Sequence, residues 1–430
     1  MGITEGPGES RVPFFSGSLR AVTPLGWGLP FVFILLALAV LPLALPRLWG
    51  RLGFQAAIAA AAALPVLLLL VPGQLPRLGA VLHEYTAFIL MLGALYVVAS
   101  GISVHGDVPA HPGTNAAILL AGGLLASFVG TTGASMLLIG LLLEVNSERK
   151  HVSHTVVFFI LVVSNGGGLL TPLGDPPLFI GFLQGVPFLW TFRLFPIWAL
   201  HLALLLAVYL VLDLRAWRRE EARDLAADEA IRRPIEVRGK VNFLLLGLIV
   251  AATALLPTPL REGAYVGLAA LSLAATEKGL RAAARFSWHP ILEVAILFAG
   301  IFVSMEPALR ILAERAPTLG IERPWQFFWA TGSLSSFLDN APTYAAFAAL
   351  ARGLGRPEVA GIPARVLEAI SAGAVLFGAM TYIGNGPNFL VRSIAESRGL
   401  RMPSFFGYML RAAAVLLPLF VLETFVFFRP

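Results

Sequence analysis

Two carboxylates stand where carboxylates are rare. Asp175 lies in the run Thr171-Pro172-Leu173-Gly174-Asp175-Pro176-Pro177, and Asp339 in Ser336-Phe337-Leu338-Asp339-Asn340-Ala341-Pro342-Thr343, each within a long apolar stretch. An Asp at the centre of a bilayer costs roughly 2.5–3.5 kcal/mol on insertion scales, so such an acid marks a functional site by default. It can be neutralised there by a proton or by a cation, and the two then compete for one place. Neutral oxygens would complete the shell of a hard cation, which prefers oxygen ligands. Thr131, Thr132, Ser135, Thr171, Asn340, Thr343, Thr381, Asn385 and Asn388 are the candidates. The expectation is that Asp175, Asp339 and Asn340 couple an ion to a proton. Thr131, Thr132, Thr171, Thr343, Thr381, Asn385 and Asn388 are expected to line the substrate pocket. The plain structural alternative is that either Asp merely caps a helix.

The elements that must position these residues follow from composition. Of 430 residues, 57% are hydrophobic and 13% charged, where soluble domains carry about 25% charged. Mean hydropathy is +0.81. The apolar residues arrive in blocks of about 20, the length that crosses ~30 Å of hydrocarbon as a helix. That excludes a soluble enzyme, a disordered scaffold and a β-barrel. The formal charge of +6 comes from basic residues scattered singly among apolar blocks, which argues against nucleic acid and for topology signals. With no Cys, disulfides and thiolate chemistry are excluded. Residues 1–26 form a polar tail without the apolar core of a signal peptide, so the first span is expected to stay in the membrane.

Spans are read at 27–46, 52–72 and 84–104, then a segment 115–148 interrupted at Gly130-Thr131-Thr132-Gly133, a segment 152–190 broken around Thr171–Pro177, and a span 194–214. Residues 215–240 are strongly charged. The pattern then restarts at 241–257, 263–280 and 290–308, an interrupted 324–355, a broken 364–397 and a span 405–428. Ser127–Thr132 echoes Ser336–Ala341, and Thr171–Pro177 echoes Thr381–Pro387. The fold class expected is an all-α polytopic membrane protein of two repeats, 27–214 and 241–428. Each repeat has three spans, a re-entrant hairpin, a broken helix and a final span. Each hairpin enters and leaves on one side, so a repeat crosses five times and the second repeat is inverted. Inverted repeats with interrupted helices bind substrate near the midplane. Eight Lys and Arg in 215–240 place that linker in the cytoplasm.

Breaks inside a bilayer leave backbone groups that protein, water or a bound ion must satisfy. Half-helix N-termini are positive, whereas freed carbonyls coordinate cations. Asp175 aligns with Asn385 and Asp339 with Gly130, so the duplicated pocket is chemically asymmetric. Other polar residues are weaker candidates. His151 and His154 lack a third metal ligand, and Glu144 and Glu148 are expected to reach water. Glu293, Glu306, Glu396, Arg411 and Glu423 fit snorkelling or helix–helix ion pairs. Arg392 is a further candidate partner for a site carboxylate.

On Ser127–Ala134, Ser336–Thr343, Thr171–Pro177 and Thr381–Asn388 the chain resembles the ion transporter superfamily, over roughly 84–428. That superfamily includes sodium:proton antiporters, citrate-type transporters, divalent-anion/sodium symporters and arsenite pumps. The resemblance implies a transport domain of hairpins and broken helices moving against a scaffold by an elevator motion, usually in a homodimer of the cytoplasmic membrane. The tips here read Gly-Thr-Thr and Asp-Asn-Ala, whereas carboxylate symporters typically carry Ser-Asn-Thr; Asp-Asn-x-Pro at Asp339–Pro342 is more similar to the antiporter members. The leading expectation is Na⁺ or Li⁺ exchange for H⁺, with no resident cofactor and no nucleic acid partner. The alternative is sodium- or proton-coupled carriage of citrate or another small anion. An aspartyl protease dyad fits poorly, because Asp339 lacks the preceding Tyr and a protease has no use for the breaks at Thr131 and Asn385.

Overall fold

The computed structural model describes residues 23–70, 74–230, 233–283 and 286–429. The expected polar tail, apart from residues 23–26, lies outside the described residues. A single 3₁₀ turn precedes α1 (Leu29–Ala44), followed by α2 (Pro46–Trp49), α3 (Leu52–Leu70), α4 (Leu75–Ala99), β1 (Ser103–Asp107), α5 (Pro112–Val129), α6 (Thr131–Val145), α7 (Ser153–Val162), α8 (Pro176–Leu183) and α9 (Phe195–Trp217). The charged stretch holds α10 (Ala222–Ala230) and β2 (Arg233–Arg238). Beyond it come α11 (Val241–Leu255), α12 (Leu260–Ala275), α13 (Lys278–Ala283), α14 (His289–Arg315), α15 (Pro324–Ser335), α16 (Asn340–Arg352), α17 (Ala364–Phe377), α18 (Gly386–Ser397) and α19 (Phe405–Phe427).

Among the described residues, six helical segments are long and apolar enough to cross a membrane, the longest being Phe188–Trp217 and His289–Thr318. The molecule is a multi-pass, essentially all-α membrane protein. Two details differ from the sequence reading. The third long helix begins at Leu75 and not near 84, because Arg77, His83 and Glu84 sit inside its first turns and mask its start in a hydropathy profile. The charged linker also contributes β2, which pairs antiparallel with β1, a small sheet that the all-α expectation did not include.

Three of the four breaks have local causes in Gly or Pro. Gly130, between α5 and α6, has φ 83°, a left-handed value that a side chain disfavours, so the chain turns there. Pro176 and Pro177 start α8, and Pro387 sits in the first turn of α18; a helix tolerates Pro there, where its N–H would be orphaned anyway. The two broken helices match in detail. Asp175 has φ/ψ of −147°/144° and Asn385 has −148°/140°. The Thr171 hydroxyl donates to Ser127 O, and the Thr381 hydroxyl donates to Ser336 O. Each also accepts a backbone N–H two residues on, from Leu173 at 3.2 Å and Ile383 at 3.3 Å. A Cβ on Gly174 would collide with Gly168 O, and one on Gly384 with Gly378 O, so both loops close on themselves only as glycines.

These segments meet across the halves. α16 packs on α8, α6 packs on α18, and α17 packs on the 3₁₀ turn Gly166–Leu169. Each hairpin's second arm thus rests on the other half's broken helix. Behind them Phe328, Phe377 and Phe420 form one aromatic cluster, with Phe377 and Phe420 stacked at 3.9 Å between centroids.

Candidate functional site

Asp175 is the residue on which the breaks converge. It stands at the N-cap position of α8, yet its carboxylate makes no capping bond. It turns inward, 1% exposed, and accepts three side-chain hydrogen bonds. Thr131 Oγ1 donates at 2.9 Å, Asn385 Nδ2 at 3.1 Å and Asn340 Nδ2 at 2.5 Å. Each donor comes from a different break. Thr131 is the first residue of α6, Asn340 the first of α16, and Asn385 the N-cap of α18. Four half-helix N-termini therefore gather around one carboxylate, and their partial positive charge favours an anion there. Hydrogen bonds to a charged group contribute about 1.5–3 kcal/mol each, enough together to offset the several kcal/mol that burying an ion costs.

No Lys, Arg or His among the described residues forms an ion pair with Asp175 or Asp339. The charge at the site is held by neutral donors alone. Asp339 lies within electrostatic reach of Asp175 but is used differently. It is half-buried and caps α16, its carboxylate accepting from Ala341 N at 3.1 Å.

The other expected site residues divide by what occupies their polar atoms. Thr131, Asn340 and Asn385 touch Asp175. Thr171 and Thr381 are tied to backbone carbonyls across each break. Thr343 donates to Asp339 O at 2.9 Å, within its own helix. Asn388 donates to Gly378 O at 2.8 Å and Thr381 O at 2.9 Å, closing the second break from within. Ser135 shares a 2.8 Å hydrogen bond with Ser164. Thr132 is exposed. Arg392 does not approach either Asp: it binds Glu396 at 3.0 Å and lies over the Tyr382 ring at 4.6 Å.

Sequence reasoning passed over Asn165, which joins the two breaks: it donates to Asn388 Oδ1 at 2.7 Å and accepts from Asn385 at 3.3 Å. Its one local signal was its place directly before Gly166-Gly167-Gly168. A second polar cluster was also missed. Asp213 receives Arg149 at 2.6 and 3.2 Å, His154 at 2.9 Å and Tyr209 at 3.0 Å, so it locks the base of the first hairpin to α9. Glu220 extends that lock by accepting the backbone N–H of Lys150 at 3.1 Å and of His151 at 2.9 Å.

A comparison with protein families matches residues 20–428 to the family described as "putative citrate transport". The chain belongs to that family. It is accordingly a multi-pass membrane transporter, and the match spans both halves together with all four breaks. A comparison with curated proteins finds no match.

Proposed function

We propose that this transporter exchanges Na⁺ (or Li⁺) for H⁺, with Asp175 as the shared binding group. One observation carries the reading: a buried carboxylate fixed by three neutral donors from three different breaks, with no basic side chain paired to it among the described residues. A carboxylate so placed needs a mobile positive charge whenever the site is shut from water. A proton and a hard monovalent cation both meet that need, and only one fits at a time. Asp339, close by, supplies the second negative charge, and Asn340 carries the state of the site to the second hairpin tip.

The matched breaks support two inverted repeats, 27–214 and 241–428, joined by a cytoplasmic linker at 215–240. On that reading the hairpins and broken helices move as one body past a scaffold, in a homodimer of the cytoplasmic membrane. A second reading is coupled carriage of citrate or a similar anion. It is favoured by the family's description and by the four half-helix N-termini, which suit a carboxylate substrate. Purified protein in proteoliposomes separates the two. Exchange predicts that external Na⁺ collapses an imposed pH gradient; sodium-dependent uptake of labelled citrate without that collapse would establish the second reading and refute the first.

A further inference from the structure

The amides behind Asp175 form a chain with a fixed direction. Asn388 spends both N–H groups on backbone carbonyls, Gly378 O at 2.8 Å and Thr381 O at 2.9 Å. A carbonyl only accepts, so the Asn388 amide cannot be reversed, and its oxygen must face Asn165. Asn165 therefore presents Nδ2 to Asn388 Oδ1 at 2.7 Å and to Ile160 O at 2.9 Å. Its own oxygen is left facing Asn385, whose Nδ2 donates to it at 3.3 Å, to Ser164 O at 3.1 Å and to Asp175 Oδ1 at 3.1 Å. Asn165 holds both of these acceptors in place: Oδ1 directly, and Ser164 O by tying down the turn after α7. Gly378 leaves room for this, since a Cβ there would come within 2.9 Å of Asn165 Oδ1. The chain Asn388, Asn165, Asn385, Asp175 crosses between the two halves three times and ends on the carboxylate.

We propose that Asn165 is a positioning residue that makes Asn385 a permanent donor to Asp175 Oδ1. The consequence concerns where a proton goes. Oδ1 already receives two hydrogen bonds, from Asn385 and Thr131, and the first of these cannot be reversed. The Thr131 hydroxyl can turn to accept, so a proton goes either to Oδ1 on the Thr131 side or to Oδ2, where Asn340 is the sole side-chain donor among the described residues and leaves a lone pair free. Proton binding is thereby kept off the Asn385 bond and directed to the groups that the two hairpin tips contribute, Thr131 and Asn340.

This inference rests on the reading of Asp175 as the shared site, and its test does not require transport. The infrared carbonyl band of the protonated Asp175 carboxyl, identified by its loss in D175N, is followed against pH in wild type, N165A, N385A and the double variant. Losing one donor to a carboxylate is expected to make proton binding about tenfold tighter in N165A. The double variant should match N385A alone, because Asn165 acts through Asn385. A titration of N165A that coincides with wild type, or effects that add in the double variant, would overturn the proposal. N165S replaces N165A where the latter is not recovered folded, with the same two outcomes. Absence of sodium–proton exchange in wild type would refute the proposed function while leaving this titration to stand by itself.

Discussion

Asp175→Asn removes the charge from the site and keeps its shape. The asparagine oxygen retains the hydrogen bonds from Asn385 and Thr131, while its amide nitrogen faces Asn340. Asn340 has no second side-chain hydrogen bond among the described residues, so it reverses and offers its oxygen. Three charge-assisted bonds become neutral ones, each weaker by about 1 kcal/mol, and the cost of burying an ion disappears in exchange. The net change in stability should fall within about 1–2 kcal/mol. Asp175→Ala behaves differently. Asn385 keeps Ser164 O and Asn165 as acceptors, but Asn340 loses its one side-chain partner among the described residues, which costs about 1–3 kcal/mol before the small void is counted. The assay has two parts. Thermal unfolding in detergent should rank wild type and D175N together, with D175A several degrees lower. In proteoliposomes both variants should lose Na⁺-driven proton movement by at least a hundredfold. A D175N protein that exchanges at the wild-type rate would show that the Asp175 charge is not the shared binding group, whatever its stability.

Asp339→Asn keeps a good N-cap for α16, so the protein should fold normally while Na⁺–H⁺ exchange is lost; retained exchange in the flux assay would remove Asp339 from the coupling. Gly174→Ala and Gly384→Ala should each cost about 1–3 kcal/mol or more, because the added Cβ meets a backbone carbonyl that cannot move aside; two well-folded variants with unchanged melting would contradict the matched loop closures. Burial alone would push the Glu220 carboxyl up, but the N–H groups of His151 and Lys150 outweigh it and hold the group below its ordinary value of 4.5. A lowered acid stabilises the fold above that value and loses the contribution as pH falls through the lowered one. Hydrogen exchange across 213–224 should therefore accelerate on acidification below about pH 4.5, and E220Q should abolish that dependence.

The fold was largely legible because lipid leaves the backbone few choices. Apolar blocks must be helices, and a polar break within one must be buried in protein. The echo of Thr171–Pro177 in Thr381–Pro387 was visible for the same reason, since Gly and Pro are required at equivalent places. Which oxygens face the carboxylate was not legible. Thr131, Thr171 and Thr381 look alike in sequence, yet only Thr131 reaches Asp175, because the other two hydroxyls lie over the carbonyls freed at their own breaks. The link between Asn165 and Asn388, the latter expected in the pocket itself, was hidden for a related reason. Their partners lie 223 positions apart, and no local pattern carries that distance. The clamp of Arg149 on Asp213 joins residues 64 positions apart and is as invisible to a local pattern. His154 there read as an interface residue, when its partner is a buried acid two helices away. The sheet formed by β1 and β2 escaped notice because each strand is short and only their pairing defines it.

Competition at a single carboxylate is tested most directly by measuring the apparent Na⁺ affinity of exchange in proteoliposomes across a series of pH values. If one Asp175 carboxylate takes either ion, the Na⁺ concentration for half-maximal rate rises about tenfold for each unit of acidification in the range where the proton occupies it. A half-maximal Na⁺ concentration that stays constant with pH, or a sodium-driven flux of citrate with no proton movement, would contradict it.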